Sequence, residues 1–134
     1  MIRSQTQIRV RYAETDAMRF AYHGNYVIWF DVARVEMMDG LGYPYKRLED
    51  EGIFIPVLGV SVRYSKPAYF DDVLTIKTSI PEMPRGRMHV QYEVLRGDER
   101  LAEGESEHGF MTPAGKATRP PKVLLEHLAQ YFTS

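Results

Sequence analysis

Between residues 54 and 111 the chain carries four strand-like runs, the first rich in β-branched residues, separated by turn signals and by no segment of helical period. That order excludes a parallel doubly wound sheet, because parallel neighbours need a crossover of a dozen or more residues, usually a helix. The runs cover 54–64, 73–80, 88–95 and 101–111. Lys66-Pro67-Ala68 breaks the first, Pro81, Pro84 and Gly86 mark a turn after the second, and Gly97-Asp98 reads as a hairpin tip before the last. In the last run Ala102, Gly104 and Ser106 alternate with Glu103, Glu105 and Glu107, so one face is small and the other charged. A face that small admits a close neighbour.

Upstream, Ile8, Val10 and Tyr12 alternate with polar residues, which predicts a half-buried first strand over 7–12. From residue 25 to 41 the period changes, and Tyr26, Trp29, Phe30, Ala33, Met37 and Leu41 fall on one helical stripe. Val27, Ile28, Val32, Val35 and Met38 lie off that stripe, so the helix is apolar around most of its circumference and is expected to be buried. Gly40 and Gly42 supply the stop, residues 43–52 predict a short second helix, and 122–132 predict an amphipathic helix after Pro120-Pro121. One strand, one long apolar helix and four further strands describe an α+β domain, an antiparallel sheet curled around a central helix. A chain of 134 residues supports one core, so residues 1–134 are expected to form a single domain.

Composition narrows the chemistry. A formal net charge of −1, with no Lys/Arg run interleaved with aromatics, offers nothing to grip a nucleic-acid backbone. The absence of cysteine excludes disulfides, thiolate metal sites and a Cys nucleophile. His23, His89, His108 and His127 show no metal-ligand spacing, and no Gly-rich phosphate loop occurs, so neither metal nor cofactor is expected. Gly104-Glu105-Ser106-Glu107-His108 is not a nucleophile elbow, because it lies in a strand and lacks the final glycine; Ser106 reads as inner-face packing. The first residues show no signal-peptide pattern, and nowhere do about 18 apolar residues run together. A cytoplasmic protein without a membrane span is the expectation.

The remaining feature is Glu14-Thr15-Asp16-Ala17-Met18-Arg19-Phe20-Ala21-Tyr22-His23-Gly24-Asn25-Tyr26. Helix starts carry unpaired N–H groups and a partial positive charge, so a substrate carbonyl delivered there finds oxyanion stabilisation. Asp16 is placed to act as a base on water or to attack the carbonyl itself. A lone Asp in a polar loop is, however, usually an Asx-turn or a cap.

These residues resemble the motif of the hotdog-fold acyl-CoA thioesterases of the 4-hydroxybenzoyl-CoA type, and within them the small bacterial branch associated with Tol-Pal genes. The likeness runs through Tyr12 to Asp16, Tyr22 to Tyr26, Trp29-Phe30-Asp31, Ala33-Arg34, Arg63 to Ala68 and Phe70-Asp71-Asp72. It implies a five-stranded antiparallel sheet wrapped around a long helix, with a homodimer as the minimal unit, sites at the subunit interface, and commonly a homotetramer. It further implies hydrolysis of an acyl-CoA to a free acid and CoA, with Asp16 as base or nucleophile, His23 as backbone oxyanion donor and Tyr22 beside it. By the same resemblance, Ile55, Pro56 and Val57 line the acyl pocket of the facing subunit. Arg85 and Arg87 fall where relatives hold the CoA phosphates, although both residues read equally well as solvated turn residues. Trp29 and Phe30 are either core or the wall of an acyl tunnel. The sequence departs from the family at Met18-Arg19-Phe20, where many members carry glycine, and that departure supports the alternative of a non-catalytic module binding acyl-CoA or an acyl carrier protein.

Overall fold

Backbone hydrogen bonds arrange five strands in the order β1-β3-β4-β5-β2, with every neighbouring pair antiparallel. The computed structural model describes residues 1–132. Its strands are β1 (Ile2–Arg9), β2 (Val57–Tyr64), β3 (Val73–Ile80), β4 (Met88–Arg96) and β5 (Glu99–His108). Strands β3, β4 and β5 form a meander, and Gly97 turns the last hairpin with φ +61, a conformation glycine adopts without steric cost. The outer positions go to β1 and β2.

The long helix α1 (Asn25–Gly40) lies across one face and packs on β1, β3 and β2. Its inner stripe of Tyr26, Trp29, Phe30, Ala33, Met37 and Met38 is buried against Leu74, Ile76, Val90, Val94 and Ala102 of the sheet. The small face of β5 permits this approach. Phe30 stacks flat on Tyr92 with ring centroids 4.1 Å apart, and a Cβ at Gly104 would stand 2.7 Å from both the Phe30 ring and the Ser61 carbonyl. The short helices α2 (Tyr45–Asp50) and α3 (Lys122–Ala129) complete the chain. This is the five-stranded antiparallel sheet around a long helix that the sequence predicts, and the fold is α+β.

Several boundaries differ from expectation. β1 runs over Ile2–Arg9 rather than 7–12, because its inward positions alternate Ile2, Ser4, Thr6 and Ile8, and the two polar members hide the period. Beyond it, Val10 exchanges backbone bonds with Asp71 and Asp72, and Tyr12 sits exposed in a single 3₁₀ turn, Tyr12–Glu14. β2 begins only at Val57, since Phe54 pairs instead with Met111, and β5 ends at His108. α2 occupies only 45–50, with Pro44 at its start and Gly52 at φ +79 just past its end; α3 ends at Ala129.

The helix α1 also departs from expectation on its outer side. Ile28, Val32 and Val35 are 53%, 39% and 39% exposed, because the sheet covers only one flank of the helix. Along β2 the same holds for Val57, Leu58, Val60 and Tyr64, all at 43% or more. Among the described residues, no helix is long and apolar enough to cross a membrane.

Candidate active site

In front of α1, residues 14–22 fold back on themselves as a tight hairpin. Thr15 and Ala21 form an antiparallel bridge, Asp16 N–H donates to the Phe20 carbonyl at 2.8 Å, and Tyr22 N–H donates to the Glu14 carbonyl at 2.7 Å. A bridge between Phe20 and Tyr69, and a bond from Ala21 N–H to the Ala68 carbonyl, fasten the hairpin to the segment before β3. Asp16 occupies its tip. Its Oδ1 accepts the N–H groups of Met18 at 2.9 Å and Phe20 at 3.3 Å, which fixes the carboxylate in place. Oδ2 has no hydrogen-bond partner among the described residues.

Arg19, on the same turn, has φ +68. Here the resemblance leads one to expect glycine, and here the backbone takes a left-handed conformation. Arginine reaches that conformation at a cost of about 1–2 kcal/mol, so the turn closes around Asp16 despite the missing glycine.

The start of α1 lies directly after the hairpin. Asn25 N–H donates to the Tyr22 carbonyl at 3.0 Å, Asn25 Nδ2 donates to the Glu14 carbonyl at 2.7 Å, and the Tyr64 hydroxyl donates to the His23 carbonyl at 2.8 Å. Neither His23 N–H nor Gly24 N–H has an acceptor among the described residues, and both stand at the positive end of a 16-residue helix. Tyr22, half exposed, lies tilted beside the His23 ring with centroids 4.3 Å apart. Asp16, Tyr22 and His23 therefore share one hairpin–helix junction.

Sequence reasoning passed over Glu14, which is 6% exposed at that junction. Its carboxylate accepts the Arg11 N–H at 2.8 Å and the indole N–H of Trp29 at 2.9 Å. Burial pushes its carboxyl up, but these two bonds and the Arg11 guanidinium outweigh that and hold it below the ordinary glutamate range.

The other expected residues lie elsewhere. Ile55 and Pro56 are half-buried and precede β2, and Val57 opens it. Val57 and Met88 both pair with His108, so 55–57 and Arg85 and Arg87 share the end of the sheet remote from His23. Tyr64 touches His23 from the opposite end of β2, roughly 23 Å away at about 3.3 Å per residue. One protomer does not bring the two groups together. Arg85 and Arg87 line an open cleft of about 1230 Å³ with His89, Val60 and Glu105, and Arg87 is ion-paired with Glu107.

Beneath the sheet a buried polar chain was also missed. Arg34 donates to the Tyr92 hydroxyl at 3.0 Å, Tyr92 bonds Ser106 at 2.7 Å, and Ser106 bonds His108 Nε2 at 2.7 Å. The Ser–His contact has the length of a hydrolytic pair, but the two residues are 3% and 0% exposed, so Ser106 packs on the inner face. Among the described residues, no group of three or more His, Asp or Glu side chains is placed to hold a metal ion.

Residues 10–128 match the model of the thioesterase-like superfamily. The chain belongs to that superfamily. A DHNA-CoA thioesterase of Staphylococcus aureus has a similar structure, with a TM-score of 0.92 and 33% identity over 98% of this chain and 92% of that one. A hypothetical protein of Thermus thermophilus, TT1821, superposes with a TM-score of 0.90 at 34% identity, covering 95% and 98% of the two chains. Over 76 residues the chain is 37% identical to the acyl-CoA thioester hydrolase YbgC of Escherichia coli O157:H7, an alignment covering 57% of each. The thioesterase-like chain is thus an enzyme of the thioester-hydrolase class, as the sequence resemblance implies.

Proposed function

We propose that this thioesterase-like protein hydrolyses an acyl-CoA thioester to the free acid and CoA, with Asp16 and the His23 N–H as its working groups. The observation that carries this reading is the state of the Asp16 carboxylate, which is pinned through Oδ1 while Oδ2 remains free to take a proton, beside a helix start with unpaired N–H groups. Asp16 removes a proton from water, and the resulting hydroxide adds to the thioester carbonyl. The oxyanion is held by the His23 N–H and by the dipole of α1. When the tetrahedral intermediate collapses, the C–S bond breaks and the CoA thiolate takes the proton back from Asp16. Tyr22 walls the junction.

The separation of the two residue groups along β2 supports a homodimer as the working unit. Antiparallel two-fold pairing of the β2 edges sets the Val57 end of one copy against the Tyr64 end of the other. Ile55, Pro56 and Val57 of the second copy then line the acyl pocket beside His23 of the first, and Arg85 and Arg87 of that copy meet the CoA phosphates, a task arginine's fork of donors suits. An apolar edge as long as β2 is a liability unless paired, which favours the same assembly. The exposed α1 stripe of Ile28, Val32 and Val35 offers a second apolar face through which two dimers join as a tetramer.

Thiol release from a panel of acyl-CoAs, followed colorimetrically, tests the chemistry. Asp16→Asn is expected to keep the fold and to lose about 10²–10⁴ in kcat, the usual range for a general base. His23→Ala is expected to cost much less, because the backbone donor survives the substitution. An Asp16→Asn enzyme with undiminished kcat refutes the assignment, and a monomer by light scattering at assay concentration refutes the shared pocket.

A further inference from the structure

Glu14 receives four hydrogen bonds, and their donors come from both sides of the proposed site. Its carbonyl accepts Tyr22 N–H and Asn25 Nδ2, each at 2.7 Å, while its carboxylate accepts Arg11 N–H at 2.8 Å and Trp29 Nε1 at 2.9 Å. Residues 15–21 between two of these anchors are the hairpin that carries Asp16. Residues 23–28, between Tyr22 and Trp29, hold the helix cap and the first turn of α1, with the His23 N–H at their head. One buried residue thereby closes the base of the hairpin and clamps it to the second turn of the helix.

The clamp is stiff at both ends. Trp29 is 2% exposed and its ring lies 4.6 Å from that of Tyr26, so the indole has no freedom to follow a moving loop. On the other side, the 3₁₀ turn Tyr12–Glu14 is closed by Glu14 N–H on the Arg11 carbonyl at 2.9 Å. The chemistry of the side chain is equally restricted. Two donors converge on it, so both oxygens must accept, and an ionised carboxylate is the group that offers acceptors only. A glutamine presents one acceptor and turns an NH₂ against a neighbouring N–H. A loop carrying its own catalyst gains little from such a buried charge unless the placement of that catalyst relative to a second group matters.

We propose that Glu14 is a positioning residue, which sets the distance and angle between the Asp16 carboxylate and the His23 N–H. The inference rests on the reading of Asp16 as the catalytic carboxylate given above. It deepens that reading, because it makes the rate depend on a group that touches neither substrate nor water.

The experiment compares Glu14→Gln, Trp29→Phe and the double variant as full-length enzymes, with the most rapidly hydrolysed acyl-CoA of the panel as probe. Displacing a catalytic group by about 1 Å costs on the order of 100-fold, so Glu14→Gln is expected to lower kcat by about 10- to 100-fold while KM stays within about threefold. Trp29→Phe lowers kcat in the same direction. The double variant falls no further than Glu14→Gln, because both changes break one link. A merely structural role would lower the melting midpoint and leave this split between kcat and KM absent. A folded Glu14→Gln enzyme with kcat within threefold of wild type overturns the inference. If that variant does not fold, Trp29→Phe decides alone, and undiminished kcat there overturns it too. Asp16→Asn is assayed alongside: full activity in that variant defeats the site itself, whereas an inactive Asp16→Asn beside an unimpaired Glu14→Gln defeats only the positioning role.

Discussion

Tyr64, the last residue of β2, donates its hydroxyl hydrogen to the carbonyl of His23 at 2.8 Å, so the edge strand and the start of α1 are tied by one bond across 41 residues. The accepting oxygen belongs to the peptide whose N–H is that of Gly24, and a planar trans peptide points the two groups in opposite directions. The bond therefore orients the Gly24 N–H, the neighbour of the His23 N–H proposed to hold the oxyanion.

Replacing Tyr64 with Phe separates this bond from the packing around it. The Tyr64 ring meets the Tyr26 ring edge-on with centroids 4.9 Å apart, a contact phenylalanine keeps. A hydrogen bond of this kind contributes about 0.5–1.5 kcal/mol, so kcat is expected to drop by roughly 2- to 10-fold with KM little changed. Steady-state kinetics on the preferred acyl-CoA check this, and an unchanged kcat removes Tyr64 from the machinery.

At Gly104 the Phe30 ring of α1 lies directly against the sheet. A methyl group there meets the Phe30 ring and the Ser61 carbonyl at 2.7 Å, and neither the stacked ring nor the backbone oxygen has room to retreat. Gly104→Ala is expected to destabilise by about 1–3 kcal/mol, the usual cost of overpacking. Gly86→Ala serves as the control, since nothing lies within 4 Å of its Cβ position. Urea midpoints of the two variants are expected to diverge, and coincident midpoints contradict the close approach.

Arg19 holds a left-handed conformation next to the Asp16 carboxylate. Arg19→Gly relieves that strain and is expected to stabilise the protein by up to about 1 kcal/mol, after the entropy glycine loses on folding. Arg19→Val works in the opposite direction, because a β-branched side chain tolerates positive φ poorly. Thermal midpoints ordered Gly above Arg above Val are the expected result.

These particulars show what the sequence made legible. The inner stripe of α1 and the turns at Pro84, Gly86 and Gly97 were readable because their signals are local and periodic. β1 was displaced because Ser4 and Thr6 take inward positions that the hydrophobic period cannot recognise. The outer residues Ile28, Val32 and Val35 misled for a related reason: an apolar position reports a need for cover without saying what supplies it. Asp16 was raised by its place before a helix start, and the roles proposed for Tyr22 and His23 came from the resemblance of their motif. Glu14, two residues from Asp16, was missed, because its meaning lies in an indole fifteen positions away that only the folded chain brings to it.

His108 gives the fold a dependence on pH that can be separated from that of the carboxylates. Its ring is fully buried, Nε2 bonds Ser106 at 2.7 Å, and Nδ1 has no hydrogen-bond partner among the described residues. Burial pushes the imidazole down to about 4, with the Arg34 guanidinium acting in the same direction and the Pro56 carbonyl and Glu107 only partly opposing it. An unfolded chain binds this proton near pH 6.5, so between 6.5 and about 4 the unfolded state carries a proton that the folded state refuses. Stability therefore rises with pH across that window, with a slope of up to about 1.4 kcal/mol per pH unit from this one group, and is indifferent to it above the window. Glu14, whose carboxyl is held low, acts in the same sense only as the pH falls below about 4.5, through its own depressed range. Urea denaturation of wild type and His108→Gln at pH 5, 6, 7 and 8 keeps clear of that second region. The wild-type midpoint is expected to fall from pH 7 to pH 5 more steeply than that of the variant, and parallel curves for the two proteins contradict a neutral buried imidazole.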